Sequence, residues 1–252
     1  MKRLMIIPFG CAAIAAIGMT LGGSSAMFYR AVLIAAAFVT AVSAFVTTSK
    51  FLPGDKLYGS WLFVGIGYTL STIRYSLRLA AMIRGGGDLL PRTALDIMLV
   101  LQNLAIAIAL LMFVRAWRST GLTRGGWGPI VAGIVVALIV GGYPLMQGFQ
   151  TRGADTVLLI STLGDVVGIA LIVPLAQSAL ALRGGLLMHT WLYLALCEFF
   201  WMLYDIWLAV RDRFSLGAAA RAGVGIEQMI RVAAILFAFI ATVAQRRAAP
   251  RG

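Results

Sequence analysis

The chain reads as an all-α protein, a polytopic transmembrane bundle of seven to eight helices, and three observations predict it. Hydrophobic residues fill 61% of the 252 positions, charged residues fill 12%, and the mean hydropathy is +0.95. An ordinary soluble domain carries about 25% charged residues, and one of this size must turn much of its surface to water. The apolar residues gather into runs of about 20, the length that crosses a hydrocarbon core. Between the runs stand glycine and proline. Lipid is therefore the solvent for most of the chain. That excludes a secreted globular enzyme, a disordered chain and a cytosolic nucleic-acid binder.

Taken in order, the predicted spans are 4–21, 28–46, 57–79, 95–114, 130–149, 157–182, 187–210 and 229–243, within one integral membrane domain covering 1–252. The first has a second reading. Lys2 and Arg3 before an apolar run, with Ser24-Ser25-Ala26 after it, is the grammar of a cleaved signal peptide. The run continues to Leu21, long for such a leader, so a retained span is expected. The other boundaries are marked by Pro53-Gly54, by Gly85-Gly86-Gly87 with Pro91, by Gly121 with Gly125-Gly126, and by Gly184-Gly185. The break from Arg211 to Gly225 is long enough for a short surface helix. Pro144 and Pro174 fall inside spans and are expected to kink them, with neighbouring helices satisfying the freed carbonyls.

An excess of basic residues, 21 against 9 acidic, gives a net charge of +12. Their places between apolar runs suit anionic lipid headgroups and give no reason to expect a nucleic-acid partner. Orientation is nearly unreadable from loop charge. With the amino terminus inside, about eleven basic residues fall on the cytoplasmic side and about ten on the other, all three lysines (Lys2, Lys50, Lys56) on the first. The expected localisation is the cell membrane, multi-pass, with both termini inside.

One internal similarity stands out. Arg84-Gly85-Gly86 and Arg183-Gly184-Gly185 each link a long apolar helix to a span ending in a basic cluster. Three helices separate the two units, so a repeat would be inserted with inverted topology, a plan common among transporters.

Ionisable residues at membrane depth cost about 2.5–3.5 kcal/mol each on insertion scales, so each needs a partner or a task. Asp96, Asp165, Glu198, Asp205 and Glu227 lie in or at the ends of spans, as do Arg30, Arg74, Arg78 and Arg231. Trp191, Glu198, Asp205 and Asp212 recur every seven residues and share a helical face, flanked by Trp201 and Met202. Tyr193, Phe200, Tyr204 and Trp207 fall on another face. An acidic stripe beside aromatic rings suits a cavity for a cationic or polar-aromatic ligand; an ion-pair seam between helices is the structural alternative. Gly67, Ser71, Arg74 and Arg78 form the complementary face of the third span, close to Tyr68 and Tyr75. Arg74 cannot discharge itself, so Asp165, Glu198 or Asp205 is its expected partner. The candidate ligand-binding or ion-pair residues are thus Arg74, Tyr75, Arg78, Asp165, Trp191, Glu198, Trp201 and Asp205.

The remaining polar residues have local readings. Asp96 suits a helix start, and Asn103, beside Gln102, suits an interhelical hydrogen bond. Ser161, Asp165 and Gly168 share a face where Gly164 permits close approach. Glu227 and Arg231 are spaced to pair with each other, and Arg30 to snorkel. Cys11 and Cys197 read as small buried hydrophobes.

Residue types narrow the chemistry further. No span interior contains the lysine a retinal Schiff base needs. His189 is the only histidine, which speaks against bis-histidine haem and histidine-rich metal centres, and no cofactor or metal is expected. His189 itself suits an interfacial position. No Walker A, GxSxG or HExxH motif occurs, and no catalytic residue is identified. Three classes remain: a receptor- or sensor-like ligand binder or accessory subunit, a small-molecule or ion-coupled transporter, and an intramembrane lipid-processing enzyme using carboxylates. Ligand binding ranks first, with a sensor of this kind expected to signal through a separate partner protein.

Overall fold

The structure is a computed structural model describing residues 10, 13, 25–85, 89, 91–119, 128–150, 156–211 and 218–249; a few side chains on described helices, Asp165 among them, fall outside the description. Of the predicted first span, 4–21, only Gly10 and Ala13 are among the described residues, and the span itself lies outside the description. Seven helices follow it among the described residues: α1 (Ser25–Thr48), α2 (Lys56–Ile83), α3 (Arg92–Arg118), α4 (Gly128–Gln150), α5 (Thr156–Ala181), α6 (Leu186–Arg211) and α7 (Ala218–Ala248). The described residues contain no strand. The fold is an all-helical bundle.

Most helices outrun their predicted spans by a few residues at each end, because hydropathy marks only the part that prefers lipid. The largest difference is at α7, which starts at Ala218 rather than at 229. The alanine-rich stretch Ala218-Ala219-Ala220 is a strong helix former, and the helical residues of this break continue into α7 instead of forming a separate surface helix. Among the described residues four stretches are long and apolar enough to cross a membrane: Met27–Thr48, Thr93–Ala116, Leu186–Trp207 and Ile226–Ala248. That is compatible with a multi-pass membrane protein.

Packing closes a ring. Helix α1 packs on α2, α2 on α3, α3 on α5, α5 on α6, α6 on α7, and α7 returns to α1; α4 stays outside the ring, against α5 and α6. Large apolar side chains project outward, including Phe38, Val42 and Phe45 on α1, Leu104 and Leu111 on α3, and Leu138 and Ile139 on α4. Such a surface is stable only where the surroundings are as apolar as itself.

Small and hydroxylated residues hold helices together where lipid offers no hydrophobic drive between them. Along the α1–α7 seam Ala37, Ala44, Ala234 and Ala241 are fully buried. Thr40 Oγ1 donates to the Ala36 carbonyl at 2.7 Å and lies 3.3 Å from that of Ile235. Thr47 repeats this one heptad on, with Ser43 at 2.7 Å and Thr242 at 3.3 Å. Ser43 and Thr242 hydrogen-bond directly, and Arg246 Nη2 donates to Ser43 Oγ at 2.9 Å.

Helix α5 continues through Pro174. A proline has no N–H for the carbonyl four residues back, here that of Ala170. Gly133 of α4 sits against that carbonyl so closely that a Cβ would collide with its oxygen. The glycine lets a neighbouring helix cover the acceptor that Pro174 leaves without its helical donor. The two Arg-Gly-Gly turns share a local conformation, with Gly85 at φ +90° and Gly184 at φ +86°. Both glycines occupy the left-handed region that ends helices. The surroundings of the two three-helix units differ, since α1 belongs to the ring and α4 does not.

Candidate functional site

Inside the ring lies a cavity of about 460 Å³, lined by residues of α1, α2, α3, α5, α6 and α7. It occupies one end of the bundle, where α1, α3, α5 and α7 begin and α2 and α6 finish. At 1.5 Å per residue, Tyr68, Gly168 and Glu198 lie about 18–22 Å from those helix ends. The opposite end is closed by aromatic packing. Trp61 of α2 meets Phe113 of α3 edge-on at 4.8 Å, and Phe113 meets Trp191 of α6 at 5.8 Å. Trp61, Phe113 and Trp191 are at most 4% exposed, so they form a dry floor beneath Leu110.

Helix α2 supplies Tyr68, Ser71, Arg74, Tyr75 and Arg78, which fall on one helical face by their spacing. Gly67 plays a different part: a Cβ there would run into Ile106 and stand 3.4 Å from the Gln102 carbonyl, so the glycine lets α3 approach α2. From α3 come Gln102 and Asn103, with Leu99, Ile106 and Leu110 as apolar wall. Asn103 packs on Gly164 of α5, where a Cβ would stand 3.0 Å from its own. Gly168, one helical turn further, leaves space that the Glu198 carboxylate fills. Glycine at these positions is thus what admits an acid to the bundle interior.

Helix α6 brings Glu198, Trp201, Tyr204 and Asp205 to the cavity. Tyr204, on a separate face by its spacing, lines the cavity beside Asp205, whereas Tyr193 and Phe200 pack on Phe237 of α7 at 6.3 and 5.2 Å. Trp191 does not line the cavity. Two turns from Glu198, it belongs to the aromatic floor. Asp165 lies on α5, but its side chain is outside the described residues, as is Asp212.

The best-defined polar group is Arg231 of α7. Its Nη1 lies 4.0 Å from Glu227 Oε1, the intrahelical pair expected from the spacing. It does more than pair. Nη2 donates to Tyr75 Oη at 3.1 Å and Nη1 to Gln228 Oε1 at 3.3 Å. The guanidinium carbon stands 5.3 Å from the ring centroids of both Tyr75 and Tyr204, so aromatic faces of α2 and α6 hold it. Tyr29 of α1 donates to the Gln228 carbonyl at 3.4 Å. Arg231 thus ties α2 and α6 to α7, and Tyr29 joins α1 to the same turn of α7.

Arg30, expected to snorkel, is half-buried and lines the cavity as well. All four arginines singled out within or at the ends of spans therefore converge here. Arg30 and Arg74 each experience the positive charge of Arg78 and Arg231. Among the described side chains, four guanidiniums (Arg30, Arg74, Arg78, Arg231) and three carboxylates (Glu198, Asp205, Glu227) line the cavity. Among the described side chains the cavity is therefore of mixed charge, arginines facing the acids of α6 and α7. Charge spacing on α6 alone could not show this, because three of the arginines come from helices read as structural or as lone partners.

Three cavity-lining residues have buried polar atoms with no hydrogen-bond partner among the described residues: Arg74 Nε, Gln102 Oε1 and Arg231 Nε. Cys197 is a free, buried thiol 3.6 Å from Tyr68 Oη. His189 lies near the floor end of α6, its ring 6.3 Å from that of Tyr193. Among the described residues no group of three or more His, Cys, Asp or Glu is placed to hold a metal. No family profile, curated protein or solved structure matches the chain, so the cavity itself is what speaks for function.

Proposed function

We propose that this is a multi-pass protein of the cell membrane that binds a small molecule in its intrabundle cavity, in the manner of a receptor, a sensor or a ligand-carrying subunit. The observation that carries the reading is the cavity: about 460 Å³, inside the usual range for ligand sites, with tyrosine, tryptophan and charged groups converging on it from six helices. A bundle assembled only for packing would close that space with apolar side chains, as its other end does around Phe113. Its basic loop residues lie against anionic headgroups, and any output passes to a separate protein.

The test uses the purified full-length chain in neutral lipid nanodiscs. Three probes of one chain length, hexyl phosphate, hexylammonium and hexanol, are titrated while thermal unfolding is followed. At least one is expected to give saturable stabilisation, lost in Ala107→Trp, which places an indole in the cavity from α3. Absence of saturable stabilisation by all three would overturn the reading. Saturable uptake into proteoliposomes would move it from ligand binding to transport, which the two Arg-Gly-Gly units bring to mind.

A further inference from the structure

Gln102 lines the cavity, is 8% exposed, and its Oε1 has no hydrogen-bond partner among the described residues. A buried amide oxygen without a donor is costly, so its place in the cavity wall asks for one. The cavity face of α3 supplies none, since Leu99 and Ile106, one turn away on either side, are apolar. Nor does the pairing of charges bear on it: an ionised carboxylate, whether of Asp165, Glu198 or Asp205, accepts hydrogen bonds and offers none. Gln102 also stands on the α2 side of α3, where a Cβ on Gly67 would meet its carbonyl, whereas Asn103 takes the α5 side against Gly164.

Depth matches this oxygen to an aromatic surface. Glu198 fills the space at Gly168, and Asn103 packs on Gly164, four residues nearer the opening along α5. Along α6, Trp201 lies three residues nearer the opening than Glu198. At 1.5 Å per residue these steps are about 6 and about 4.5 Å, so Trp201 stands within about 2 Å of the depth of Asn103 and its neighbour Gln102. Trp201 lines the same cavity, and Tyr204 meets it edge-on, ring centroids 5.7 Å apart. We infer that Gln102 is the specificity-determining contact of the cavity: it accepts a hydrogen bond from an N–H or O–H group of the ligand, borne on an aromatic ring that lies against Trp201. This rests on the ligand-binding reading above. Of the cationic and polar-aromatic ligands that the α6 face suits, it selects the polar-aromatic, an aryl amide or aryl alcohol.

Two uncharged probes of one shape decide it, benzamide and acetophenone, in which a methyl group replaces the amide nitrogen and its protons. Both are titrated against the full chain in phosphatidylcholine nanodiscs, with affinities referred to the free aqueous probe. Benzamide is expected to bind about tenfold more tightly than acetophenone, the scale of one buried hydrogen bond. Gln102→Leu and Gln102→Met, which keep the bulk and remove the amide, are each expected to abolish that preference by weakening benzamide and leaving acetophenone unchanged. The ratio of the two probes is the readout, because a loss of packing alone would weaken both. Trp201→Leu is expected to weaken both alike. Equal binding of the two probes, a preference that survives in both Gln102 variants, or indifference of both probes to Trp201→Leu would overturn the inference and leave the ligand-binding reading intact. Failure of both to bind where a hexyl probe stabilises the protein would do the same. Failure of all five probes would remove both readings.

Discussion

Arg231 shows how much one side chain can do when it is charged and placed among helices. Its guanidinium meets Glu227, Gln228, Tyr75 and Tyr204, so its removal strands several polar groups at once. Breaking a buried pair by deleting one partner costs about 3–5 kcal/mol, and here the remaining carboxylate is Glu227. Arg231→Met is expected to destabilise the bundle by about 3 kcal/mol in a denaturant titration of the reconstituted protein. Arg231→Lys is expected to recover only part of that. An ammonium supplies the charge but lacks a flat fork for two ring faces. Full recovery by lysine would mean that the tyrosine faces contribute nothing.

What the sequence made legible at this scale followed from cost. Arg30, Arg74, Arg78, Arg231, Glu198, Asp205 and Glu227 could be singled out because charge at membrane depth is expensive. Which of them meet could not be read, since that depends on how helices rotate against one another. Arg231 illustrates the limit: its i, i+4 relation to Glu227 is local and visible, whereas Tyr75 lies 156 positions away.

Among the helices, glycine and hydroxyl placement governs how closely axes approach. Gly133 packs on the Ala170 carbonyl that Pro174 leaves without its helical donor. Gly133→Ala is therefore expected to push α4 from α5 and cost about 1–3 kcal/mol, the usual range for overpacking. A pairing with Pro174→Ala should reduce the loss, because the Ala170 carbonyl then regains a helical donor; simple additivity in the double-mutant cycle would contradict the account. The α1–α7 seam behaves differently. Each of its bonds is modest, averaging about 0.6 kcal/mol in membrane bundles, so Thr40→Val with Thr47→Val is expected to cost about 1 kcal/mol in the same titration. The helices themselves were legible from hydropathy, apart from the start of α7. There an alanine-rich stretch obeys helix propensity after the apolar signal has ended.

For the molecule as a whole, the cavity accounts for an ambiguity in its charge pattern. Counted along the sequence, basic residues divide about eleven to ten between the two sides, too even to orient the chain. Four of the ten line the cavity, so they are spent inside the bundle instead of in loops. The loops that remain favour the side holding Lys50, Lys56, Arg115, Arg118, Arg183, Arg246 and Arg247. That is the end closed by Trp61, Phe113 and Trp191. The carboxyl terminus is thus expected in the cytoplasm and the cavity on the far side. A fluorescent reporter that matures only in the cytoplasm, fused after Gly252, should glow; an alkaline phosphatase fusion there should be inactive. The reverse pair of results would invert the molecule.

The aromatic floor has one more consequence. With indole and phenyl rings interlocked beneath it, the vessel is stoppered at that end, and under the ligand-binding reading a guest leaves away from the floor. Residence time is then set at the rim, where Arg30 and Arg78 stand.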